Sequence, residues 1–133
     1  MNDAPHAEAL LRAVERFLEQ DVVPALDGVA RFHARVAANV VAMVAREIET
    51  EAEHAEAEWR RLAELLGPAG PLPGALPARR AALAARGEEL TRRIRAGDAD
   101  QGPFRAQVLA HLRRTVADKM SVSRPPRQRA RPE

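Results

Sequence analysis

Residues 32–48, Phe-His-Ala-Arg-Val-Ala-Ala-Asn-Val-Val-Ala-Met-Val-Ala-Arg-Glu-Ile, constrain this chain more than any other stretch. At about 100° per residue, Phe32, Val36, Val40, Met43, Val44 and Ile48 fall on one side of a helix. His33 and Glu47 sit in the middle of that apolar sweep, and Asn39 lies on its edge. A helix that only packed would carry leucine at such places. The segment therefore marks where a function would sit without saying which.

The 133 residues suit one domain with a real core. Twenty-eight alanines, few β-branched residues, three Phe and one Trp favour helices packed through small side chains over any sheet. The expected class is all-α: a single-domain bundle of four or five helices over residues 1–120, with a disordered Arg/Pro-rich tail over 121–133. That tail carries a net charge of +3 within a chain of +2, so the remainder is close to neutral. A nucleic-acid binder should show a basic face on the folded body, and none is legible. With no cysteine, a disulfide framework and a thiol nucleophile are both excluded. The start of the chain does not read as a signal peptide and no run approaches the ~20 apolar residues of a membrane span, so the expected location is cytoplasmic.

Stop signals divide the pattern. A first helix over 7–23 carries Leu10, Leu11, Val14, Phe17, Leu18 and Val22 and ends before Pro24. A second spans 29–49. Thr50-Glu51-Ala52-Glu53 reads as a capping box that starts a third over 51–66, burying Trp59, Leu62 and Leu66, although one helix over 29–66 is the rival reading because no Gly or Pro interrupts it. Residues 67–77, with four prolines and three glycines, form a loop. A fourth helix over 78–96 shows a thin stripe of Leu83, Leu90 and Ile94, with Gly87 on the same face where a neighbour would pack closely. A fifth over 103–120 is expected to bury Phe104, Val108, Leu109, Leu112, Val116 and Met120.

No phosphate-binding glycine loop, catalytic triad order or nucleophile elbow occurs, so no catalytic residue is assigned and enzyme activity is not favoured. Glu51-x-x-His54 has a di-iron spacing but lacks the second motif and the extra glutamates, so neither a metal nor a cofactor is expected. The informative residues are ionisable groups in apolar stripes: Asp21, His33, Glu47 and Lys119, the single lysine. An unpartnered buried charge is costly, so such groups should be paired or should face a pocket or interface. Simple up-down packing would bring Asp21, His33 and Lys119 to one pole, with Glu47 about 21 Å away at ~1.5 Å rise per residue. Glu47 would then pair with an arginine such as Arg12 or serve as an edge residue.

The order Leu10-Leu11-x-x-Val14-x-x-Phe17-Leu18, Pro24, Phe32-His33-x-Arg35-Val36-Ala37-x-Asn39, Arg46-Glu47 resembles a small bacterial family of domains of unknown function. Leu109-x-x-Leu112-x-x-Thr115-Val116-x-Asp118-Lys119 is similar to its C-terminal part. The chain departs from the pattern at His6, where a Ser or Thr cap is expected, and in the tail. The resemblance implies company with two proteins, an aminoglycoside-phosphotransferase-like kinase and an acyl-CoA dehydrogenase. It therefore implies an accessory, partner-binding subunit of the kinase in hydroxyacyl-CoA catabolism. His33, Arg35, Asn39 and Lys119, with Asp21 and Glu47, are the expected partner- or ligand-binding residues. Two alternatives stay open: a small ligand-binding or enzymatic bundle around Asp21, His33 and Lys119, and a binder of anionic partners through the arginine tail.

Overall fold

The computed structural model describes residues 4–124, and every regular element among them is helical. In chain order these are α1 (Ala7–Phe17), a π turn (Leu18–Val22), α2 (Val23–Ala25), α3 (Gly28–Leu66), α4 (Leu76–Arg95) and α5 (Gly102–Ser123). The all-α class read from composition holds. Residues 121–123 form the last turn of α5; the remainder of the expected disordered tail, from 125 on, lies outside the described residues. The chain divides into two compact units. Among the described residues the first comprises 4–51 together with 122–124, and the second comprises 52–121.

α3 is one helix of 39 residues, so the break expected at Thr50 does not occur. The Thr50 hydroxyl donates to the Arg46 carbonyl at 2.8 Å, back along its own helix, and caps nothing ahead of it. With neither Gly nor Pro in reach, nothing interrupts the ladder. Its ends do follow their signals. Gly28 has φ +55° where the chain turns into the helix, and Gly67 has φ +94° where it leaves. Pro24 does not end the first helix outright. Its missing N–H and its ring's conflict with the Gln20 carbonyl coincide with a widening into the π turn, after which one further turn forms.

In the second unit the core is made of leucine. Leu62, 1% exposed, is buried with Leu65, Leu90 and Val108, and Leu66, Leu83, Ile94, Ala99 and Phe104 pack around them. Trp59, expected to be buried, is half-exposed and donates its indole N–H to the Gly70 carbonyl at 3.0 Å. Arginines of α4 donate to carbonyls in the last turns of α3 and just past its end. Arg86 donates to the carbonyls of Leu62 and Gly67 at 3.2 and 2.6 Å, and Arg93 to that of Leu65 at 3.2 Å. The Arg93 guanidinium also lies 4.2 Å from the Phe104 ring centroid. Gly87 has open space where a Cβ would go, so it is not there to admit a close neighbour.

The first unit is built the other way round. Its buried positions are Val23, Ala34, Ala38, Ala42 and Ala45. Of the sweep expected to form the core only Met43 is half-buried; the rest is exposed, Phe32 at 64%, and Val36, Val40, Val44 and Ile48 at 41–52%. Four alanines at helical spacing let a neighbouring helix approach closely, which a row of valines on that side would prevent. In α1 and the π turn likewise, Leu11, Leu18 and Val22 are half-buried while Leu10, Val14 and Phe17 are exposed. Arg12 ties α1 to α3, donating to Glu49 through Nε at 3.0 Å and Nη2 at 2.7 Å, and to Glu15 through Nη1 at 2.8 Å. The forked pair holds the Glu49 carboxyl below its ordinary range and raises the guanidinium's already high pKa. Arg12 thus pairs with Glu49 rather than with the expected Glu47, two residues back and on a different side of the helix.

Candidate functional site

Two depressions, one in each unit, bring polar side chains together. In the first unit, Glu19, Val23, Arg35, Ala38 and Asn39 line an open cleft of about 340 Å³ beside the π turn. Arg35 and Asn39 are one helical turn apart on α3, and buried Ala38 lies between them with buried Val23. Glu19 belongs to the π turn itself, a wider geometry that often marks functional positions. A guanidinium, a primary amide and a carboxylate on the cleft wall can bind polar groups in a fixed orientation. They include no nucleophile.

The Phe32-His33-x-Arg35-Val36-Ala37-x-Asn39 run is therefore split by the helix. Arg35 and Asn39 line the cleft, whereas Phe32, His33 and Val36 are exposed and do not line it. The Phe32 and His33 rings are neighbours, with centroids 5.8 Å apart. Asp21, His33, Glu47 and Lys119 are all exposed, so none is an ionisable group enclosed in an apolar stripe. Asp21 and His33 belong to the first unit and Lys119 to the second.

The second unit holds a site that sequence reading missed. Arg61, Glu64 and Leu65 of α3 and Gln107, Ala110 and His111 of α5 line a cavity of about 230 Å³. His111 is 6% exposed, and its Nδ1 has no hydrogen-bond partner. Burial and the nearby Arg61 charge lower its pKa, with Glu58 acting weakly against them, so the imidazole is held neutral. Arg61 donates from Nη2 to Asp118 Oδ2 at 3.2 Å, and Arg114 Nε lies 3.0 Å from Asp118 Oδ1. Arg61 Nε and Thr115 Oγ1 are also buried without a partner.

This polar seam has a simple periodicity: Phe104, Val108, His111, Thr115, Asp118 and Val122 alternate by four and three along α5 and are its buried or half-buried positions. The expected burial of Leu109, Leu112, Val116 and Met120 is reversed, since these are 40–59% exposed. The signal was present in the spacing, but hydrophobicity pointed to the wrong face. Among the described residues, no three His, Asp or Glu side chains converge as metal ligands would, and no helix is long and apolar enough to cross a membrane.

The model of a family described as a domain of unknown function, DUF6285, matches residues 24–126, and the chain belongs to that family. The match contains the Phe32–Asn39 run and the 109–119 stretch but begins after α1. No curated protein and no solved structure matches the chain.

Proposed function

We propose that this member of DUF6285 is a non-catalytic accessory subunit that binds an aminoglycoside-phosphotransferase-like kinase in cytoplasmic hydroxyacyl-CoA catabolism, where an acyl-CoA dehydrogenase also acts. One observation carries the partner-binding part. Among the described residues fourteen large hydrophobic side chains are exposed, against five buried ones larger than alanine. A chain that keeps its leucines, valines and phenylalanines outside is built to cover them with another surface. The identity of the partner rests on the family resemblance of the helix motifs.

Arg35 and Asn39 in the first cleft are the polar contacts of this interaction, and Lys119 lies beside the outward α5 stripe of Leu112, Val116 and Met120. Guanidinium and ammonium groups at such positions meet carboxylates or phosphates of a partner. Co-expression with the neighbouring kinase-like protein, a pull-down, and a kinase assay with and without this subunit test the reading. Arg35→Ala should weaken capture of the kinase with the melting temperature unchanged. Failure of the intact chain to co-purify with the kinase or to alter its activity would overturn it.

A second reading is favoured by the three buried polar atoms without partners around Arg61, His111 and Thr115. A cavity of about 230 Å³ lined by a neutral imidazole and a guanidinium suits a small polar or anionic ligand. Ligand binding there predicts a thermal shift with small carboxylates or phosphates that His111→Gln abolishes. No shift with either class would dismiss it.

A further inference from the structure

The cavity between α3 and α5 in the second unit holds side chains that the chain itself leaves unused. Gln107 and His111 stand one helical turn apart on its α5 wall, so they are neighbours. Among the described residues neither makes a hydrogen bond, and Glu64 on the α3 wall has no ion-pair partner. His111 is 6% exposed and its Nδ1 is enclosed, so Nε2 is the nitrogen that a molecule in the cavity meets. The neutral imidazole carries one proton. An enclosed N–H without an acceptor is the costlier arrangement, which assigns that proton to Nε2, as a donor into the cavity.

Charge and size narrow what fits. The Arg61 guanidinium, tied to Asp118 through Nη2 at 3.2 Å, is the cation of the wall and attracts a negative head. Glu64 on the same wall and Glu58, whose charge also reaches His111, oppose a second negative charge. Buried Leu65 and the Ala110 methyl supply an apolar surface. A volume of about 230 Å³ equals on the order of seven waters at ~30 Å³ each, room for about six non-hydrogen atoms. We propose that this cavity binds a short aliphatic monocarboxylate of about four carbons, its carboxylate accepting from His111 Nε2 and the Gln107 amide and its chain lying on Leu65 and Ala110. This rests on the ligand-binding reading of the cavity and holds whether or not the chain binds a kinase.

NMR titration of the intact chain with acetate, propionate, butyrate, octanoate and inorganic phosphate tests the assignment. Affinity should rise about fourfold per methylene from acetate to butyrate. It should fall at octanoate, which overfills the cavity, and be about tenfold or more weaker for phosphate than for butyrate. Gln107 and Ala110 are exposed, so changing them leaves the fold intact. Gln107→Leu should weaken butyrate about tenfold, by removing a hydrogen bond to a charged head. Ala110→Leu should fill the end that holds the chain and cancel the advantage of butyrate over acetate. Glu64→Gln should strengthen butyrate and admit phosphate. Equal affinity for acetate and butyrate, an unaltered butyrate affinity in Gln107→Leu, or phosphate binding as tightly as butyrate to the intact chain would overturn the monocarboxylate and leave the cavity a site for another ligand class. Binding of neither the acids nor phosphate would overturn the ligand-binding reading itself, and the monocarboxylate with it.

Discussion

In the unit of residues 52–121, Leu62, Leu65, Leu90 and Val108 are enclosed by a further ring of apolar side chains, and arginines close the end of α3. In the unit that ends at residue 51, the enclosed positions are Val23 and four alanines, while nine larger apolar residues from Leu10 to Ile48 face outward. Burying a leucine contributes about 1.5–3 kcal/mol, whereas an alanine methyl contributes about 0.8 kcal/mol at most. The two units share one helix and differ in where their cohesion comes from. The second holds together through its own side chains. The first has its helix contact in place and its large apolar surface still uncovered, so its stability depends on what it binds.

The largest expected effect attacks the self-sufficient unit. Leu62→Ala should cost about 2–5 kcal/mol in denaturant unfolding, because it leaves a cavity where the largest fully buried side chain stood. A loss under about 1 kcal/mol would erase the contrast between the units. Next comes a paired substitution in the first unit. Ala45→Leu, at a position with no exposure, should cost about 1–3 kcal/mol by forcing the helices apart. Val36→Ala on the outward face of α3 should cost under about 0.5 kcal/mol, as exposed positions do. If Val36→Ala proved the costlier of the two, that face would be a core face after all.

A smaller effect concerns His111. Its folded pKa lies below the ordinary value of 6.5, so below that pH the unfolded chain binds the proton more readily than the folded one. The stability that neutral His111 allows is therefore fully present above about pH 6.5 and is lost as the pH falls towards the lowered folded value. His111→Gln should flatten that acid limb, as thermal melts across pH 5–7 would reveal. The smallest effect is a gain. Gly87→Ala should stabilise the second unit by about 0.5–1 kcal/mol, since the helix gains a better former and the methyl meets nothing.

Helix existence was legible because periodicity and the Gly28 and Gly67 signals act locally. The Thr50 break was misread because Thr-x-x-Glu caps a helix only where the backbone has already left one, and nothing before Thr50 makes it leave. Burial was legible only in part. Leu62, Leu83, Leu90 and Ile94 lie on the inward faces that their pattern indicates, but α3 before residue 51 and α5 turn their more apolar faces outward. Amphipathicity states that a face will be covered and is silent on whether the same chain covers it. For that reason Arg35 and Asn39 were found by motif but separated from His33, and the buried seam of His111 and Asp118 was passed over beside a more hydrophobic one.

Amide hydrogen exchange tests the central difference between the units most directly, because protection reports local opening element by element. The account predicts that amides of residues 29–48 exchange much faster in the free chain than those around Leu62, Leu90 and Val108. Protection of residues 29–48 that matches the leucine core would contradict it.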